Sequence, residues 1–462
     1  MWIGIDVEMD AHVTRRGTTF PNDCKYNENS GIVGSNRKMS KRHPLCVWIR
    51  KAFAMRTHVM TLIFAALLSL RISAADNDLS QQNCVTFDYF TGEECERAYI
   101  RLPRGAEKVK AVLYCHQNMT EEVLFRSRSF REAMDSLGVA MAFVQRGSQN
   151  WDTSDGCQKR FENIMADFAA GTGHPEIATA PVIPFGHSAQ ATFPWNFAAW
   201  NPDRTLCIIS YHGDAPRTNL CGYGRANIEW GRTRNIDRIP GLMIEGEYEW
   251  WEARVRPALA FRMMYPESRI SFLCDAGRGH FDLSEDTQRY IALFIAKSLE
   301  TPRPEGGCYY SRWYADGTES TDPHDCFWYH DREMVDLTKA IYASSRNKKM
   351  QYLGAKVNGE KIGYDASKHI KMNAKVSGKE FTVEPFFSEE DRKTPASRHA
   401  STRPKAVLIS GPATQTGEYT FRIDEDYFGK DPRRLWNTIT ICVEAAGDDE
   451  YKSAVQEISI SQ

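Results

Sequence analysis

The sequence lacks an excess of charge of either sign: 58 Lys and Arg stand against 60 Asp and Glu in 462 residues. Without a basic field there is no drive toward a phosphate backbone, so nucleic-acid binding is excluded early. It also lacks the composition of a disordered chain, since 26% charged residues come with 42% hydrophobic and 11% aromatic ones. Internal repeats and low-complexity tracts are missing, and no apolar run reaches the about 20 residues that span a bilayer. The longest run, Val59–Leu70, is broken only by Thr61 and Ser69. Arg50, Lys51 and Arg56 precede it and Ser73-Ala74-Ala75 follow, the order of a secretory signal peptide cleaved after Ala75. A buried core helix is the competing reading. The signal places the protein in the periplasm or outside the cell, with no stable membrane span after cleavage. Residues 1–54 then read as an extension upstream of a start at Met55 or Met60, or as a long leader. Removing residues 1–75 takes away 11 Lys and Arg but only 5 Asp and Glu, leaving a more acidic chain.

From Asn83 onward two β-rich runs, Cys84–Phe90 and Arg97–Leu102, flank a turn at Thr91-Gly92. Strands and helices then alternate. Strands are expected at Lys110–Cys115, Val139–Val144, Val182–Phe185, Leu206–Ser210, Leu242–Ile244 and Ile270–Cys274. Helices are expected at Glu121–Ser136, Phe161–Ala170, Ala189–Trp200, Trp250–Met263 and Asp286–Leu299. Such alternation predicts an α/β fold with a mostly parallel sheet covered on both faces. Pro184 removes a ladder donor, so its strand should be short. Residues 301–348 form a Pro/Gly linker and an aromatic-dense extension. From 349 to 462 short β-rich runs without helices, among them a two-residue hairpin signal at Asn358-Gly359, predict an all-β, immunoglobulin-like sandwich. The charged stretch Glu389–Lys405 reads as a loop within it. The expected organisation is therefore a leader to 54, a signal at 55–75, a catalytic α/β domain at 76–300, the extension, and the sandwich.

The chemistry concentrates in Pro184-Phe185-Gly186-His187-Ser188-Ala189-Gln190-Ala191, between an expected strand and an expected helix. A serine on so sharp a turn has its hydroxyl exposed above the sheet, with backbone N–H groups and a helix N-terminus beside it. The bland alternative is a glycine turn before a serine N-cap. A base is available in Asp275-Ala276-Gly277-Arg278-Gly279-His280, a glycine-flanked loop after the last strand, which can bring His280 back over the sheet. A solvated loop histidine is the alternative. Between them lies Ile244-Glu245-Gly246-Glu247-Tyr248-Glu249, where a carboxylate can hold the imidazole tautomer. Register favours Glu249, with Glu245, Glu247 and Asp214 in reserve; a solvated acidic face is the rival reading.

With its chain order of serine, acid and histidine, each at the C-terminal end of a strand, the segment Asn83–Leu299 resembles the α/β-hydrolase superfamily. It is most similar to secreted bacterial hydrolases whose elbow reads like G-H-S-A-G-G, with Gln190 and Ala191 standing where that pattern has glycines. The resemblance implies an oxyanion hole built from the N–H of Ala189 and an N–H in His116-Gln117-Asn118-Met119, assigned to Asn118 with Gln117 as its substitute. It also implies a serine esterase working through an acyl-enzyme.

No cofactor is called for. His116, His187 and His212 show no metal-ligand spacing, so no metal site is expected. His116, Gln117, His187, Trp230 and Arg232 are the candidates for touching substrate. Arginines and aromatics in Gly213–Pro240 and the aromatic run Tyr309–Tyr329 suit an ester on an anionic polysaccharide, packing and solvated loops being the plainer account. Cys84 with Cys95 and Cys308 with Cys326 are candidate disulfides. A peptidase of the same fold and a non-catalytic glycan-binding protein with a decayed elbow are the rival functions.

Overall fold

The computed structural model describes residues 84–91, 94–145, 151, 156–213, 236–246, 251–275, 278–280, 283–310, 326–345, 348–349, 351, 353–362, 372–387, 403–411, 413–423 and 438–461. The expected leader and signal lie outside these residues.

Eight strands form one sheet: β1 Cys84–Thr91, β2 Glu94–Arg101, β3 Ala111–His116, β4 Val139–Val144, β5 Val182–His187, β6 Ile208–Tyr211, β7 Pro240–Gly246 and β8 Arg269–Asp275. Their order is β1-β2-β4-β3-β5-β6-β7-β8. The first two strands form an antiparallel hairpin joined antiparallel to β4, and every later pairing is parallel. The central strands β3 to β7 are buried throughout, as a sheet covered on both faces requires. Alternation assigns their side chains to two cores. Leu113, Cys115, Met141 and Phe143 point into one cluster and Val112, Tyr114, Ala140, Ala142 and Val144 into the other. The first face is covered by α1 Met119–Arg126, α2 Arg128–Leu137, α5 Trp251–Met264 and α6 Glu285–Glu300. The second is covered by α3 Cys157–Thr172 and by Phe193 and Phe197 of α4 Phe193–Trp200.

Three local departures from the sequence expectations have physical causes. The helix expected over 121–136 is two helices, because Ser127 takes an extended ψ of 124° and caps α2 by accepting from the Phe130 N–H. The helix expected from Ala189 begins as a 3-10 turn, Ser188–Gln190, with the α-helix starting at Phe193 just before Pro194. Pro184 lies inside β5 without shortening it to Phe185. Val182 bonds toward β6 through both its N–H and its C=O, so by alternation position 184 faces the same side. There the ladder is interrupted, between the Val182↔Thr205 bridge and the Phe185↔Ile209 pair. The missing N–H falls in that gap.

β9 Cys308–Tyr310 and β10 Phe327–Tyr329 pair antiparallel beside β8. Tyr310, Phe327, Trp328 and Tyr329 are buried; Phe327 stacks on Phe272 at 5.1 Å and the Tyr329 hydroxyl donates to the Phe272 carbonyl at 2.6 Å. This part of the aromatic run is packing, not a roof over a site. The helix α7 Arg332–Ser345 follows.

The remaining strands are β11 Leu353–Val357, β12 Glu360–Lys361, β13 Met372–Lys375, β14 Glu380–Phe387, β15 Lys405–Ser410, β16 Ala413–Gln415, β17 Thr420–Ile423, β18 Thr438–Ala445 and β19 Ala454–Ser461. They make a sheet of order β12-β11-β14-β17-β16 and another of order β13-β19-β18-β15, sharing one apolar core that includes Val383, Phe421, Ile441 and Ile458. Asn358 and Gly359, both at positive φ, turn β11 into β12 as a type I′ hairpin demands. Lys405, expected in a loop, already belongs to β15.

Both disulfide expectations are corrected by register. In the first hairpin Cys84 lies opposite Arg101 and Cys95 opposite Phe90, so the two residues sit at opposite ends of the ribbon. Cys308 lies opposite Tyr329, three residues from Cys326. Cys84, Cys308 and Cys326 are free thiols. Bridging requires Cα atoms within about 7 Å, which neither register provides. Among the described residues no helix is long and apolar enough to cross a membrane.

Candidate active site

Ser188 follows the last residue of β5 and holds a φ of +54°, a conformation that L-residues seldom adopt. The turn closes because Gly186 has no side chain: a Cβ there would lie 2.0 Å from the carbonyl oxygen of Gln190. The glycines absent after the serine are compensated on the neighbouring strand. Ala191 is buried, and a Cβ on Gly213, just beyond β6, would meet the Ala191 methyl at 1.9 Å. The Ala191 carbonyl accepts from Ser210 Oγ at 3.0 Å. Gln190 and Ala191 therefore leave the elbow tight.

His280, from the loop after β8, places Nε2 2.7 Å from Ser188 Oγ. Two further histidines hold the loop that delivers it. His187 Nε2 and His212 Nδ1 both bond the His280 backbone carbonyl, at 2.8 and 2.9 Å. A carbonyl only accepts, so each of these ring nitrogens carries its proton, which fixes both tautomers. His187 and His212 are fully buried, and His212 stacks on Tyr211 at 3.9 Å. The sequence offers His187 as a substrate contact and gives His212 no role beyond the lack of metal-ligand spacing; nothing local in the sequence announces that both converge on one carbonyl. Ligand atoms of His187, His212 and His280 all lie within 4.8 Å of one another, the one histidine cluster of metal-centre dimensions among the described residues. The hydrogen bonds just given engage one ring nitrogen of each: Nε2 of His187, Nδ1 of His212 and Nε2 of His280.

On the oxyanion side, Gln117 cannot substitute for Asn118 as a backbone donor: its N–H already donates to the Val144 carbonyl at 2.8 Å. Its side chain is exposed. Asn118 precedes α1, and its side chain donates from Nδ2 to the His187 carbonyl at 2.7 Å. Ala189 is exposed at the first turn after Ser188. His116, offered as a substrate contact, is instead buried in an aromatic cluster, 4.3 Å from the Phe193 ring and stacked with Trp151.

Of the candidate acids, Glu245 is fully buried at the end of β7 with Oε2 2.8 Å from Arg254 Nη1. That carboxylate neutralises Arg254. Glu249, Glu247, Asp214, Trp230 and Arg232 lie outside the described residues. Two buried carboxyls escaped the sequence reading. Asp275, closing β8, accepts from Thr287 Oγ1 at 2.6 Å and so ties the start of the His280 loop to α6. Glu121 on α1 accepts at Oε1 from the His187 N–H at 2.6 Å, and burial pushes its carboxyl well above the usual range.

An eight-stranded sheet of this order, with a serine on the sharp turn after β5 and a histidine on the loop after β8, defines the α/β-hydrolase fold, here followed by a β-sandwich. Solved structures similar to the chain include an α/β serine hydrolase homologue from Coxiella burnetii, 15% identical over 46% of this chain and 97% of that one, with a TM-score of 0.31. The esterase domain of a Rhodothermus marinus protein is 13% identical over 47% of this chain and 98% of that one, TM-score 0.32. Dienelactone hydrolase from Anabaena variabilis is 18% identical over 48% and 98%, TM-score 0.29. No protein-family model matches the chain, and no curated protein matches it.

Proposed function

We propose that the protein is a serine hydrolase that cleaves a carboxylic ester through an acyl-enzyme. The observation that carries this reading is the 2.7 Å contact between Ser188 Oγ and His280 Nε2 on a strained strand-to-helix turn. Ser188 attacks the ester carbonyl as His280 takes its proton, and His280 returns that proton to the leaving alcohol. Water then repeats the sequence to release the acid. The backbone N–H groups of Ala189 and Asn118 stabilise the tetrahedral oxyanion; the Asn118 N–H makes no hydrogen bond among the described residues. Glu249 orients His280, a role that rests on its position after β7 and on chain order. With Glu245 bound to Arg254, the choice of acid narrows toward that loop.

The substrate we favour is an ester on an anionic carbohydrate, on the strength of the arginines and aromatics between 213 and 240. Export follows from the ordered signal at 55–75. The test is labelling of the purified protein, from residue 76 onward, with a fluorophosphonate probe beside Ser188→Ala. Labelling that disappears in the variant supports the reading, and a folded wild type that does not label overturns it. Turnover of p-nitrophenyl acetate against the matching anilide then separates esterase from peptidase.

A further inference from the structure

Asn118 and Glu121 stand at the N-cap and third position of α1, the spacing of a capping box. In that motif the two side chains would bond each other's backbone N–H groups. Here the Asn118 side chain makes no capping bond. Both side chains reach instead to one residue of the neighbouring strand. Asn118 Nδ2 donates to the His187 carbonyl at 2.7 Å, and Glu121 Oε1 accepts from the His187 N–H at 2.6 Å.

This diversion has two consequences for the site. The His187 carbonyl belongs to the peptide that enters Ser188, so Asn118 holds the plane from which the serine departs into its positive φ. And because Glu121 Oε1 accepts from the His187 N–H, that oxygen does not take up the Asn118 N–H as it would in a capping box. One pair of side chains thus sets the oxyanion loop and the nucleophile at a fixed distance from each other.

We propose that Asn118 and Glu121 are positioning residues, a clamp on His187 that locks the oxyanion loop to the nucleophile elbow. This rests on the serine-esterase reading above. Glu121 is fully buried, and what it gives His187 is one acceptor oxygen at 2.6 Å from the backbone N–H. The acceptor is what matters, not a charge, and a glutamine amide oxygen can replace it.

The test is steady-state turnover of p-nitrophenyl acetate with thermal melting measured on the same samples, for the wild type, Glu121→Ala, Glu121→Gln, Asn118→Ala and Asn118→Asp. Misplacing catalytic groups by about 1 Å lowers rate by about 10²-fold, so kcat should fall by that order in Glu121→Ala and Asn118→Ala while KM moves little. Glu121→Gln should restore most of the loss. Asn118→Asp, which sets an acceptor against a carbonyl, should behave like the alanine variant. A merely structural role would lower the melting temperature while leaving kcat per folded molecule intact, and that result overturns the proposal. If Glu121→Ala does not fold, Asn118→Ala, at a half-buried loop position, decides. A wild type that neither labels nor turns over ester fails the underlying reading and the clamp with it; a wild type that works beside variants of unchanged kcat fails the clamp alone.

Discussion

The sheet end around Ser188 and the C-terminal sandwich are built on opposite terms. At the elbow, positive φ falls on Ser188 and His212, and His187, His212, Glu121, Glu245 and Arg254 are all buried. In the sandwich the one non-glycine residue at positive φ, among those described, is Asn358 in a hairpin turn, and the shared core is aliphatic and aromatic. Strain and buried polar groups are unfavourable unless surrounding contacts hold them, each strained residue costing about 1–3 kcal/mol. Strained non-glycine residues gather at the elbow, whereas the one described in the sandwich sits in a hairpin turn that favours its conformation.

Substitutions can break that comparison, and the largest effect is expected at the nucleophile. Ser188→Ala should lower turnover by about 10⁴-fold or more while relieving the strained turn of nothing it needs for folding. Its melting temperature should match or exceed the wild type; a clear drop would mean that the serine is structural. Next comes a pair of glycines. Gly186→Ala places a Cβ 2.0 Å from a backbone carbonyl, so the elbow must open and kcat should fall by about 10²-fold. Gly359→Ala in the sandwich hairpin meets nothing within 4 Å at φ +84° and should cost about 1 kcal/mol of stability with kcat unchanged. Equal effects on kcat at the two sites would erase the distinction.

Ile441→Ala empties part of the sandwich core, where the residue is fully buried. About 2–5 kcal/mol should be lost in urea unfolding, again without a change in kcat. A further effect should come from pH. Burial beside Phe294 and Trp328 pushes His330 down to about 4, from an ordinary value of 6.5. The unfolded chain therefore binds a proton between those values that the folded one refuses, and stability should fall as pH is lowered from 6.5 toward 4. His330→Asn should flatten the urea midpoint over that window; an unchanged slope would assign the acid sensitivity to other groups.

Much of the fold was legible because it is written locally. Alternation in Val112–Cys115, Ala140–Val144 and the neighbouring strands marks a sheet buried on two faces, and Asn358-Gly359 names its own turn type. Ser188 and His280 were legible as a candidate pair because glycine-flanked loops at strand ends place side chains above a parallel sheet, and the two meet at 2.7 Å. The helix break at Ser127 and the late start of α4 were not legible, because one cap and one proline overrode a continuous apolar pattern.

What the sequence by itself determined is therefore the order of elements and the succession Ser188, acidic segment, His280, because both depend on neighbours along the chain. Only the tertiary structure decided the rest. Strand register separated the cysteines that spacing had paired, gave Glu245 to Arg254, spent the Gln117 N–H on Val144 and opened room at Gly213 for Ala191. It also brought Asn118 and Glu121 to His187, and His187 and His212 to the carbonyl of His280. A hydrogen bond is fixed by positions to a few tenths of an ångström between residues tens of positions apart. Such distances exist only once the sheet has set which strand lies beside which.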